Sequence, residues 1–176
     1  MKIGMASALV LVASTSLAAP IAGTSLSVNE SNFCKKYNCS LISNTPYNPT
    51  RDPSRFKGYR QFTYKMSGKG ILEVIRNNLN MVENATIRFD GPEAFKWAYN
   101  NSGKYTDDFV LAFTGSRPTA SLNEACLDDV LAESTPNIAS GTMGPEGKYI
   151  VVCLASIATE GGFPPKTVAM ISINVK

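Results

Sequence analysis

Four cysteines and no histidine set the chemistry open to this 176-residue chain. Without histidine there is no Ser-His-Asp or Cys-His nucleophile pair. The commonest general base near neutral pH is missing, and few routes to a zinc or copper site remain. No G-x-S-x-G segment occurs. Cys34, Cys39, Cys126 and Cys153 are an even set, which in an exported chain reads as two disulfides with three possible connectivities. Pairing neighbours in sequence closes the smallest loops at the lowest entropic cost, so Cys34–Cys39 and Cys126–Cys153 are expected. The spacing within each pair fits no zinc knuckle, and no metal or cofactor is expected. The stretch Gly141-Thr-Met-Gly-Pro-Glu-Gly-Lys148 is similar to a phosphate loop but departs from it three times. Its glycine spacing is off by one, Tyr149 stands where Ser or Thr belongs, and it precedes a strand instead of opening a helix.

Carboxylates are the one remaining acid–base resource. Glu73 and Glu83 fall on neighbouring expected strands, and Asp107-Asp108 sits at an expected helix start. A His-free hydrolase acting on an envelope or extracellular glycan would need two of these roughly 5–10 Å apart in a cleft. Asp128-Asp129 lack the short oxygen-rich loop of a calcium site.

The other distinctive stretch is Arg55-Phe-Lys-Gly-Tyr-Arg-Gln-Phe-Thr-Tyr-Lys65, in which cations alternate with rings. Phe62, Tyr64 and Met66 share one parity, while Gln61, Thr63 and Lys65 share the other. That is the pattern of a half-buried strand with its rings facing a core. A platform for stacking nucleic-acid bases needs its rings exposed, and only Tyr59 meets that condition, which disfavours nucleic acid as a partner. Lys57, Tyr59, Lys65 and Lys69 are the candidate contacts for an anionic partner. Arg51, Arg55, Lys57, Arg60, Lys65 and Lys69 are opposed locally by Asp52 alone. Glu124, Asp128, Asp129 and Glu133 form a separate acidic block.

The elements that would position these residues begin after an export signal. Lys2 precedes the apolar run Ile3 to Ala13, and Ser16-Leu17-Ala18 supplies small residues for cleavage after Ala18. Without Lys2, sixteen of the 17 cations face 14 acids, a net charge of about +2. This is too small to imply nucleic acid by itself. No later run is long and apolar enough to span a membrane.

Three segments are expected: a signal peptide at 1–18, an N-terminal disulfide-closed helix with a proline-rich linker at 19–54, and an α+β domain at 55–176. Asn29 is expected to cap a helix from Glu30 to about Asn38, with Asn38 as its left-handed terminator. Strands are expected at Gln61–Met66, Ile71–Ile75, Met81–Phe89, Tyr149–Ile157 and Val168–Val175. Helices are expected from Pro92 to about Asn101, from Thr106 to Phe113 and from Ser121 to Pro136. Ser43 to Ser54 and Asn137 to Gly147 read as loops. The resulting class is α+β: a mostly antiparallel sheet of about five strands, three helices on one face and a short N-terminal helix. The expected function is that of an exported, disulfide-stabilised, non-catalytic binding domain of the periplasm or extracellular space. Its expected partner is a protein or an anionic envelope polymer.

Overall fold

In the computed structural model the described residues are 19–50, 52–67, 70–90, 105–119, 137–158 and 166–176. The chain builds one antiparallel sheet of seven strands. These are β1 (Ser40–Pro46), β2 (Arg60–Lys65), β3 (Gly70–Arg76), β4 (Val82–Asp90), β5 (Asn137–Met143), β6 (Tyr149–Ala158) and β7 (Lys166–Val175). Their spatial order is β1-β2-β3-β4-β7-β6-β5. Two meanders, β1 to β4 and β5 to β7, join where β4 pairs with β7 from Asn84↔Asn174 to Asp90↔Val168.

The expectation of about five strands carrying three helices is overturned by this sheet. Among the described residues, helical structure is limited to α1 (Asn32–Tyr37), α2 (105–114) and short 3-10 turns at Pro53–Phe56 and Pro145–Gly147. The helices expected from Pro92 to about Asn101 and from Ser121 to Pro136 lie outside the described residues. The two unanticipated strands, β1 and β5, are the two edges of the sheet. Both were read as loops for a physical reason. A strand paired on one side only is under little pressure to alternate apolar and polar residues. β1 is exposed along nearly its whole length, ends in Pro46 and is bulged between Leu41 and Ser43.

The central strands carry the alternation. In β3, Gly70, Leu72, Val74 and Arg76 are buried, while Ile71, Glu73 and Ile75 are half-buried. Ala85, Ile87 and Phe89 of β4, Tyr149 and Val151 of β6, and Ile171 and Ile173 of β7 complete the buried face. Tyr64 and Met66 join it from the cation–ring stretch, with Phe62 packed partly against it. That part of the stretch is therefore a strand with a dry face.

Both helices complete this core. Ser31, not Asn29, caps α1: its hydroxyl accepts from the Cys34 amide at 3.0 Å. Asn38 ends α1 in the left-handed region at φ 50°, ψ 51°, which turns Cys39 back to a closed disulfide with Cys34. Phe33 stacks its ring 5.5 Å from Phe109 and 6.4 Å from Phe113, both on α2. Gly115 stops α2 at φ +73°, and its amide donates to the Leu111 carbonyl. Cys153 is disulfide-bonded within β6; Cys126, its expected partner, lies outside the described residues.

Arg76 is the buried cation of this core. Its guanidinium donates to the carbonyls of Asn80 at 2.6 Å and Leu26 at 2.5 Å, and lies 5.8 Å from the Phe62 ring centre. Burial holds its pKa below the usual arginine value, with the Tyr64 hydroxyl acting in the opposite sense. It ties the N-terminal segment and the β3–β4 turn to the sheet. The other face of the sheet carries a set of polar contacts between half-buried side chains. Gln61 donates to Glu73, Arg88 sits 3.6 Å from Glu73, and Asn84 donates to Ser172 and Asn174.

Candidate binding site

The candidate residues Lys57 and Tyr59 meet on one concave surface at the open end of β1 and β2. Pro46, Tyr47, Phe56, Lys57, Tyr59 and Arg60 are among its lining residues, and it encloses about 520 Å³. The local sequence builds it directly. Pro53 starts the 3-10 turn Pro53–Phe56, and its fixed φ suits a first helical position. Gly58 at φ +85° then reverses the chain; a side chain there would be strained by that backbone conformation. The Tyr47 amide donates to the Tyr59 carbonyl at 2.9 Å, which extends the β1–β2 ladder by one bond.

This turn sets Phe56 between two tyrosines. Its ring meets Tyr47 edge-on at 5.4 Å and Tyr59 at 5.3 Å. All three rings are half-buried, so each keeps surface toward solvent. The Arg55 guanidinium lies 5.7 Å from the Phe56 ring centre. Arg60 is held against β1 by its bonds to the Asn44 side chain at 2.7 Å and backbone at 3.1 Å. Lys57 is exposed. From Asp52 to Arg60 there are three cations and one acid, a local charge of +2. Asp52 accepts from the Ser54 hydroxyl. This shelf offers apolar ring edges framed by cations.

The other two candidates are not brought here. Lys65 is exposed at the far end of β2, paired in register with Ser40 and Ile71. Five residue-to-residue steps along the strand separate it from Arg60, about 17 Å at roughly 3.4 Å per step. Lys69 lies outside the described residues. Tyr47 and Phe56 are the contributors that sequence reading missed. Phe56 lies outside the strand, which begins only at Arg60, after Gly58 at positive φ.

A second concavity, of about 470 Å³, lies between the N-terminal segment, α1 and α2. Glu30, Lys36 and Asp108 line it over an apolar floor that includes Ile21, Phe33 and Leu111. Lys36 Nζ and the Tyr37 hydroxyl both donate to Asp108 Oδ2. Burial first, and then Asp108 as acceptor and as a charge, push the Tyr37 hydroxyl far above the ordinary phenol range. Tyr105, stacked 4.2 Å from Tyr37, is also raised by burial. A catalytic acid needs a carboxyl isolated from cations, whereas Asp108 has an ammonium on it. Glu73 and Glu83, the other expected carboxylate pair, do not converge. Glu73 is opposite Thr86 and bonded to Gln61, while Glu83 accepts from Asn77.

Among the described residues no group of His, Cys, Asp and Glu is arranged to hold a metal ion. Among the same residues no helix is long and apolar enough to cross a membrane. In comparisons with known proteins, no family model, no curated protein and no solved structure matches this chain.

Proposed function

We propose that this is an exported, disulfide-stabilised binding domain whose shelf of Tyr47, Phe56 and Tyr59 takes an anionic, ring-bearing polymer of the envelope or extracellular space. The observation that carries the reading is the meeting of Lys57 and Tyr59 with two further rings and Arg60 in one concavity. Pyranose rings of an acidic polysaccharide present apolar C–H faces to aromatic rings and carboxylates to cations, so one repeating unit would satisfy both parts of the shelf. Export is supported by the sequence ahead of Ala19 and by the closed Cys34–Cys39 disulfide.

Isothermal titration of the protein with polygalacturonate, and with neutral dextran as the control, tests this reading. The acidic polymer is expected to bind, with an affinity that falls as salt rises through the screening range near 0.1 M. Equal binding of both polymers, or of neither, overturns it.

A further inference from the structure

The cleft between the N-terminal segment, α1 and α2 has an unbalanced rim. Asp108 already receives Lys36 and Tyr37. Glu30 makes no ion pair among the described residues. One cation against two acids leaves the lining side chains at −1. Ala19 lines the same cleft. The chain is tied down immediately behind it. The Ile21 amide donates to Ala112 at 3.3 Å, the Ala22 amide to Phe113 at 3.0 Å, and the Gly23 amide to Val82 at 2.7 Å. Ile21 and Ala22 are buried, and the Pro20 ring packs 3.5 Å from the Cβ position of Gly115. Ala19, the first residue after the expected cut, is thus followed directly by a packed and hydrogen-bonded segment.

We propose that removal of the signal peptide completes this cleft: the α-ammonium group released on Ala19 pairs with Glu30 at its rim. Water adds across the Ala18–Ala19 peptide bond in a reaction catalysed by a processing peptidase. Ala18 departs with the new carboxylate, and the Ala19 nitrogen keeps the bond to its own Cα and takes up a proton at neutral pH. In the precursor that nitrogen is an uncharged amide and the rim stays at −1. In the processed chain the rim is balanced. The charged residues that line the cleft together with Ala19 are Glu30, Lys36 and Asp108, with the last two already engaged with each other.

The inference rests on the export reading for how the bond is cut, and the two are separable by experiment. The N-terminal mass of the exported chain tests export alone. The amine itself is tested on a chain that begins at Ala19, released from an N-terminal fusion so that Ala19 is the first residue. Its α-amine, labelled with 15N, is titrated by NMR beside the Glu30→Gln and Asp108→Asn variants. An ordinary α-amine titrates near pH 7.7–8.0. The amine of the unaltered chain is expected to titrate about half a unit or more higher, since an opposite charge nearby favours the charged form. Glu30→Gln is expected to return it to the ordinary range, while Asp108→Asn leaves most of the rise. With a folded pKa raised above the unfolded one, the pair adds stability below about pH 8 that is lost as pH rises through the folded value. An ordinary value in the unaltered chain, or a rise that survives Glu30→Gln, overturns the proposal. So does a butylammonium probe that occupies the cleft and shifts the Glu30 resonances while the amine stays free.

Discussion

The two concavities of this protein are built from similar residues and put them to opposite uses. In the cleft beside α1 and α2, the rings and most charged groups are occupied by the protein itself. Phe33 packs on Phe109, Tyr37 on Tyr105, and Asp108 holds Lys36 and Tyr37. On the shelf, Tyr47, Phe56 and Tyr59 contact one another but none belongs to the buried core, and Lys57 points to solvent. Polar groups consumed by folding cannot also recognise a partner without being replaced. Groups that folding leaves at the surface can. The contrast marks the first region as structural and supports the second as the proposed binding surface.

The strongest way to break that contrast is to remove a ring from each side. Phe33→Ala empties a fully buried position among three aromatic rings and is expected to cost about 3–5 kcal/mol in chemical denaturation. Tyr59→Ala is expected to change stability by less than about 1 kcal/mol, because it opens no core cavity. Similar losses from both would mean that the shelf is a structural cluster.

The disulfides give the next largest effect. Cys34–Cys39 closes a loop of only a few residues, for which the chain-entropy relation gives roughly 2 kcal/mol. A Cys126–Cys153 bond would close about 28 residues and give roughly 3–4 kcal/mol. Replacing Cys126 and Cys153 together by Ala should therefore lower the denaturation midpoint more than replacing Cys34 and Cys39. The reverse order would mean that Cys153 is bonded differently or that its loop is already constrained in the unfolded chain.

Much of this division was legible in the sequence, and its gaps have causes. Five of the seven strands were legible, among them β2, β4 and β7 from alternation and β6 from a β-prone run, and Asn38 was readable as a helix end, which its left-handed backbone bears out. β1 and β5 were not, because edge strands carry small, polar and proline residues that also suit loops. Lys57 and Tyr59 stood out as candidate contacts from the alternation of charge and ring, together with Lys65, which the structure does not bring to the shelf, and Lys69, which lies outside the described residues. The place of Tyr47 was not readable, since eleven residues of chain separate it from Tyr59 and only the β1–β2 ladder brings them together. The Lys36–Tyr37–Asp108 cluster was also invisible, because it joins α1 to α2 across more than seventy residues.

A smaller effect sharpens the cleft side of the comparison. Tyr37, Tyr64 and Tyr105 all have hydroxyls raised above the ordinary value by burial. Above about pH 10 the unfolded chain gives up these protons first, so the folded state binds more protons and stability falls as pH rises further. A denaturation series from pH 8 to 11 should show only the small loss from the Ala19–Glu30 pair up to about pH 10 and then decline more steeply. Tyr37→Phe should lower the curve at neutral pH by about 1 kcal/mol, for the lost bond to Asp108, and make the alkaline decline shallower. A decline unchanged by that substitution would show that Tyr37 does not hold its proton against the solvent.

The most direct measurement is the affinity for polygalacturonate of three proteins side by side: the unaltered chain, Lys57→Gln with Tyr59→Ala, and Lys65→Gln. All three are expected to keep their circular dichroism and to unfold cooperatively. The double variant is expected to bind at least about tenfold more weakly, a loss of about 1.4 kcal/mol or more. Lys65→Gln is expected to remain within about twofold, since Lys65 lies at the opposite end of β2. Unchanged binding by the double variant, or an equal loss on Lys65→Gln, would contradict the assignment of binding to the shelf.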